Sequence, residues 1–274
     1  MKKNLNLSLA ALAFAALSFT ACNSGNKTAE NAQTSTDSLN NVDTNNEIRV
    51  EPVADSKSFP GANLEIASIT SEKVGSDSAR ISVKYNVKNF TLTEHTEDSN
   101  AHHMANSAEG QHIHFILDNT PYAALYKPEH TAMVKLGSEH YLMSFLSRSY
   151  HESIKEEGAA VLKHFKIDDN GKLSELALPT EPSLFYSRPK GEYKGKDTDR
   201  VLLDFYLWNT KLKDGNQVKA TINGTDFMLD NWGPYEIINA PKGELTVDLS
   251  LVDKDGKTLS GDNVSITRKV TLSE

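Results

Sequence analysis

The chain has 274 residues, 38% of them apolar, with nine histidines, one cysteine and a formal net charge of −8. That apolar content suffices for one or two ordinary cores. The acidic balance leaves no basic patch of the size that polyanion binding needs, which excludes nucleic acid as a partner, and a lone cysteine excludes a disulfide framework.

At the amino end Lys2 and Lys3 precede an apolar run from Leu5 to Phe19, followed by Thr20, Ala21 and the sole cysteine, Cys22. The run is too short to cross a bilayer core of about 30 Å as a helix and reads as a signal peptide over residues 1–21. Small residues ending at a cysteine resemble the lipobox of bacterial lipoproteins. That resemblance implies acylation at Cys22, two lipid signals sufficient for stable anchoring, and a place in the cell envelope, at the outer membrane or periplasm with the leaflet and orientation open. Residues 22–58 are rich in Asn, Thr, Ser, Asp and Glu with almost no aromatic residues. Such a segment cannot bury enough apolar surface to offset the entropy of ordering, and it is expected to be a flexible tether.

The remainder carries an internal repeat. The stretch Arg80–Leu92 overlays Arg200–Leu212, 120 positions on, with Ile81 on Val201, Val83 on Leu203, Tyr85 on Phe205 and Asn89 on Asn209. Beyond it the spacing becomes 105: Gly110 meets Gly215, Ile113 meets Val218, Glu139 meets Glu244 and Phe165 meets Val270. The first copy therefore carries 15 extra residues, within the loop 93–109. A constant offset over several separated segments marks a duplication. Each copy reads as short alternating segments divided by turn residues such as Asp118-Asn119 and Asn223-Gly224, which are strand and turn signals. The expected fold is all-β: two tandem immunoglobulin-like β-sandwiches, over residues 59–170 and 171–274.

The copies differ in what they would show to solvent. In the second, Val218, Ala220 and Ile222 alternate with Gln217, Lys219 and Thr221, core on one side and water on the other. Arg268 interrupts the inward parity of the last strand without an evident reason. Transferred to the first copy, the outward positions become His112, His114 and Ile116, then Tyr141, Met143 and Phe145, then Leu162 and His164. A large apolar face of this kind is expected to be covered or to bind. His140 replaces the core residue Leu245 and reads as a buried, hydrogen-bonded histidine.

Loop 93–109 adds His95, His102, His103 and Met104 at the end of the sandwich where Arg148, Tyr150 and His151 also fall. Neutral imidazole is the commonest metal ligand, and alternate residues on a strand share a face. His112, His114, His164, His102, His103 and His151, with Met143, are thus candidate ligands of copper or zinc. A thioether would favour copper, and a site without thiolate needs three His, or two and a carboxylate. A His-x-His pair is equally an ordinary stripe on a strand surface. A second cluster, Arg148, Ser149 and His151 with Arg188 and Lys190, has the composition used for phosphate or carboxylate, although Arg148 and Arg188 read equally well as solvated or salt-bridged side chains.

The strings Gly110-Gln-His-Ile-His-Phe-Ile-Leu-Asp-Asn-Thr-Pro-Tyr122, Phe145–Ser153 and Phe185–Gly191 resemble an uncharacterised lipoprotein family of Bacteroidota whose members are often labelled phosphopeptide-binding. The resemblance runs from about Pro60 onward and implies a phosphate-reading role for Arg148, Ser149, His151, Arg188 and Lys190. No nucleophile elbow, zinc-protease helix motif or phosphate-binding glycine loop is present, so the chain is expected not to be an enzyme. The leading expectation is a binding module using the His and aromatic face of the first copy. The alternatives are an anionic-ligand or phosphopeptide binder, and an assembly role in which that face packs on the other domain or on a partner protein.

Overall fold

The computed structural model describes residues 47–212 and 215–274; the leader, Cys22 and most of the segment read as a tether lie outside them. The first sandwich sets β2 (Asn63–Val74), β3 (Ser78–Lys88) and β6 (Glu129–Lys135) against a five-stranded sheet. That second sheet runs β5 (Ala123–Leu125), β4 (His112–Leu117), β7 (Ser138–Ser147), β8 (Ala160–Ile167), β9 (Leu173–Glu175). In the second sandwich one sheet contains β10 (Ser183–Arg188), β12 (Arg200–Trp208) and β15 (Tyr235–Ile238). The other runs β14 (Thr225–Leu229), β13 (Gln217–Ile222), β16 (Gly243–Val252), β17 (Ser265–Ser273), with β11 (Glu192–Lys194) parallel at its edge. Both follow the immunoglobulin-like order, and alternate residues of facing sheets form two separate cores.

The duplication extends to strand register. Ile113 pairs with Leu146 and Val218 with Leu251; Glu139 pairs with Lys166 and Glu244 with Thr271. Across the other sheet Ile81 pairs with Ala132 and Val201 with Ile237. Register is held this firmly because a one-residue slip would turn every core side chain toward water.

Two boundaries differ from expectation. Residues 49–52, inside the segment read as a tether, form strand β1 (Arg49–Pro52), antiparallel to β15 at the free edge of the second sandwich. Residues 54–57 are held as well: Ser56 donates to Glu152, Arg148 donates to the Lys57 carbonyl, and Asn100 donates to the Ala54 carbonyl. Pairing of backbone groups with an exposed sheet edge supplies the order that the polar composition does not. At the other boundary β9 belongs to the first sandwich, pairing with β8, so that sandwich runs past residue 170.

The two sandwiches belong to one compact unit. As expected, the outward face of β4, β7 and β8 carries His112, His114, Ile116, Met143, Phe145 and Leu162 on one side, but it is not free. Ile116, Met143, Phe145 and Leu162 are buried against Phe185 and Tyr206 of the second sandwich, with Phe145 and Tyr206 stacked at 5.0 Å. Burial of each such side chain contributes about 1.5–3 kcal/mol. The face read as a ligand surface is the joint between the copies, as the assembly alternative proposed.

Polar contacts fix the joint. The Asp118-Asn119 turn, with both residues at positive φ, projects Asn119 against β10, where its amide donates to the Leu184 carbonyl and accepts from the Tyr186 N–H. Asn tolerates this left-handed conformation better than most residues. The Asn119 carbonyl accepts from Arg268, whose guanidinium lies 5.0 Å from the centre of the Tyr186 ring. The odd inward arginine of β17 is therefore a tie between sandwiches. Buried Asp204 on β12 accepts from Ser153 and pairs with Lys155 at 2.5 Å.

Candidate functional site

His112 and His114 are alternate residues of β4, so both rings emerge on the joint side. His151 lies beyond the end of β7, at φ 72, where a short turn closed by its own N–H to the Arg148 carbonyl folds it back over β4. Three imidazoles meet there. The Nε2 atom of His112 lies 2.9 Å from His114 Nε2 and 3.0 Å from His151 Nδ1, and one nitrogen from each ring falls within 4.8 Å of the others. Among the described residues this is the one group of three or more His, Cys, Asp or Glu side chains arranged to hold a metal ion.

Each β4 ring is oriented from behind. His112 Nδ1 lies 2.8 Å from the Gly110 carbonyl and His114 Nδ1 lies 3.0 Å from Ser187 Oγ. The His112 Nδ1–H donates to the Gly110 carbonyl and leaves its Nε2 lone pair pointing into the cluster, where it accepts from His114 Nε2–H while His114 Nδ1 accepts from Ser187. A metal ion taking the place of that shared proton would let Ser187 Oγ accept from His114 Nδ1, the arrangement by which outer partners aim metal-binding histidines. Gly110 is required for this. At φ +85 a Cβ there would stand 2.4 Å from the Thr93 carbonyl oxygen, so only glycine lets the loop close tightly and present its carbonyl to His112.

The rings around the cluster are aromatic. Tyr122 stacks on His114 at 3.6 Å, and Tyr126 lies 5.1 Å from His112 with its hydroxyl 2.6 Å from Ser107 of the inserted loop. Arg188 and Lys190 sit behind Tyr122, at 5.4 and 4.2 Å from its ring centre. Burial, opposed by the Gly110 carbonyl, pushes His112 down to about 4; the two cations push it further the same way. His114 and His151 are also held well below the usual imidazole range, by burial first and by neighbouring positive groups second. All three rings are neutral at pH 7, the form that binds metal.

Of the expected ligands, His112, His114 and His151 converge and the others do not. Met143 is in the joint beside Leu162, its partner across β8. His164 pairs with Tyr141, not Met143, and its ring hydrogen-bonds Glu139 and the Ala177 carbonyl. His103 reaches Glu236 of the second sandwich at 3.0 Å, while His102 and His95 are exposed. Met104 is buried with Tyr150 and Leu202. A strand alternates faces but neighbouring strands set the rows, and sequence does not give that stagger.

The anionic cluster also divides. Arg148 is buried in an ion pair with Glu152 at 2.9 Å and donates to the Lys57 and Ser153 carbonyls. Ser149 is occupied with Thr96. Only Arg188, Lys190 and His151 are neighbours, and Arg188 is buried, donating to the Tyr193 hydroxyl. His140 is buried between Asp118 and Ser138, as read from the sequence. Sequence reasoning missed Ser187, Tyr122 and Tyr126. The His-x-His pair was visible, but a residue presented by the other sandwich leaves no local signal.

No family model and no curated protein matches the sequence. Among solved structures, the fibronectin(III)-like modules of Clostridium thermocellum CbhA match at 13% identity and a TM-score of 0.27, over 77% of this chain and 94% of theirs. Two tandem V-type regions of the chitin-binding protein VCBP3 match at 8% and 0.23, over 78% and 99%. The Bacteroides ovatus mixed-linkage glucan protein SGBP-B matches at 9% and 0.22, over 84% and 71%. At these identities and scores none of them bears on a ligand. No helix among the described residues is long and apolar enough to cross a membrane.

Proposed function

We propose that this chain is a non-catalytic, lipid-anchored protein of the cell envelope that binds one copper or zinc ion through His112, His114 and His151. The observation that carries the reading is the convergence of three ring nitrogens, each from a neutral imidazole, on one point. The Nδ1 partners behind both β4 rings, the Gly110 carbonyl and the Ser187 hydroxyl, support it. So does burial: His112 and His114 are fully enclosed, which leaves little room beside an ion for a substrate. Attachment through Cys22 rests on the lipobox resemblance alone. An anionic ligand would have to be met by Arg188 and Lys190, because Arg148 and Ser149 are already engaged.

Elemental analysis and metal titration of the full-length protein in detergent test the reading. One equivalent of Cu or Zn should bind and raise the melting temperature, by about 2.7 kcal/mol of stability at a free ion concentration 100 times Kd. His151→Gln should abolish the effect, while His164→Gln should not alter it. Wild-type protein that binds no ion and shows no thermal shift rules the reading out.

A further inference from the structure

Resting on the metal-binding reading above, we infer that the three-histidine cluster is built for a singly charged ion, Cu(I), in preference to Zn(II) or Cu(II). The charge of the surroundings carries this. A divalent ion in protein is ordinarily met by at least one anionic ligand or an open position for water or hydroxide. Here the ligand group contains three neutral imidazoles and no carboxylate among the described residues. The only cysteine, at position 22, is read as the lipid anchor.

Instead of negative charge, the cluster is backed by positive charge. Lys190 Nζ lies 4.2 Å from the centre of the Tyr122 ring, and that ring stacks on His114 at 3.6 Å. The Arg188 guanidinium lies 5.4 Å from the same ring. Among the described residues neither cation has an ion-pair partner: Lys190 Nζ donates to the Tyr122 carbonyl and Arg188 to the Tyr193 hydroxyl, both uncharged acceptors. The Nε–H of Arg188 is buried without any protein partner. In a poorly solvated interior each elementary charge on the bound ion meets both cations, so a dication suffers twice the repulsion of a monocation.

Coordination number points the same way. Cu(I) is a filled-shell ion that is satisfied by three nitrogen donors in a plane, whereas Zn(II) takes four ligands in a tetrahedron. The Tyr122 and Tyr126 rings pack against His114 and His112, and the Tyr122 hydroxyl, 3.2 Å from His151 Nδ1, is a neutral phenol. The methionines that would ordinarily announce a copper site are elsewhere in the fold. The preference comes from charge, not from sulfur.

Anaerobic competition against a Cu(I)-specific chelator, with parallel titrations of Zn(II) and Cu(II), measures it on the full-length protein. Cu(I) should bind one per chain and at least about 100-fold more tightly than Zn(II). Lys190→Gln keeps a donor to the Tyr122 carbonyl and removes one cation. It should narrow the Cu(I)-to-Zn(II) ratio by about tenfold, with circular dichroism confirming an unchanged fold. Zn(II) or Cu(II) binding as tightly as Cu(I), or a ratio unmoved by Lys190→Gln, overturns the Cu(I) assignment and leaves the metal site standing. If no ion binds, both fail together.

Discussion

The β4-β7-β8 face of the first sandwich and the β13-β16-β17 face of the second share strand order and register but meet opposite environments. Where the second shows Lys219, Thr221, Thr246 and Asp248, all at least partly open to solvent, the first buries His114, Ile116, Met143 and Phe145. The opposite faces are exchanged in the same way. On β3 the outward residues Ser82, Lys84 and Asn86 stand at the positions of Leu202, Asp204 and Tyr206 on β12, which enter the interior of the molecule. A duplicated module thus joined head to tail, sacrificing one face of each type and leaving one of each for water. The comparison teaches that backbone register was retained while side chains alone decided which surface became a joint, and that the histidine cluster lies at the end of that joint.

A charge placed on matched positions gives the largest effect. Met143→Lys puts an unpaired ammonium into the joint and should cost about 3–5 kcal/mol. Asp248→Lys, at the equivalent place in the second copy, should stay within about 1 kcal/mol. Chemical denaturation of both variants measures the contrast, and equal losses would break it.

Acid should find the same asymmetry. His112 is held at about 4 in the folded state against 6.5 when free. The unfolded chain therefore takes up the proton first. The metal-free protein should be fully stable above pH 6.5 and lose about 3 kcal/mol through this one residue as pH falls to 4. His112→Gln should flatten that slope in denaturation measured across the range; an unchanged slope would sever His112 from the buried cluster. A smaller loss, about 2 kcal/mol, is expected from Asn119→Ala, which strands the Leu184 carbonyl and Tyr186 N–H at the joint. Hydrogen exchange at Tyr186 would report whether the turn holds the two sandwiches.

Much of this was legible in the sequence. The duplication, the sandwich class and the single-sided placement of His112, His114, Met143 and His164 follow from a period of two and a constant offset, both local properties. What covers that side is not local, and the binding face proved to be an internal one. Of the ligand candidates, the His-x-His spacing identified two, and His151 came from proximity of strand ends. Met143 and His164 came from strand parity, which gives the face but not the row, and the loop residues from their nearness to that end of the sandwich. His103 found a carboxylate and Met104 an apolar nook instead, because loop 93–109 spans both sandwiches. Arg268 illustrates the same limit: its reason lies in a turn 149 residues away.

Strand β1 reverses the usual correspondence between chain order and assembly. Residues 49–52 complete a sheet whose other strands are all made more than 130 residues later, for Arg49 meets Ile238. In a chain synthesised from its amino end, this piece must wait unpaired until nearly everything else has arrived. Closing so long a loop is slow, which sets β1 apart from the hairpin ladders that pair with sequence neighbours. The pairing also gives residues 49–52 a grip on the second copy, so that a pull on that end of the described chain is felt first by the second sandwich.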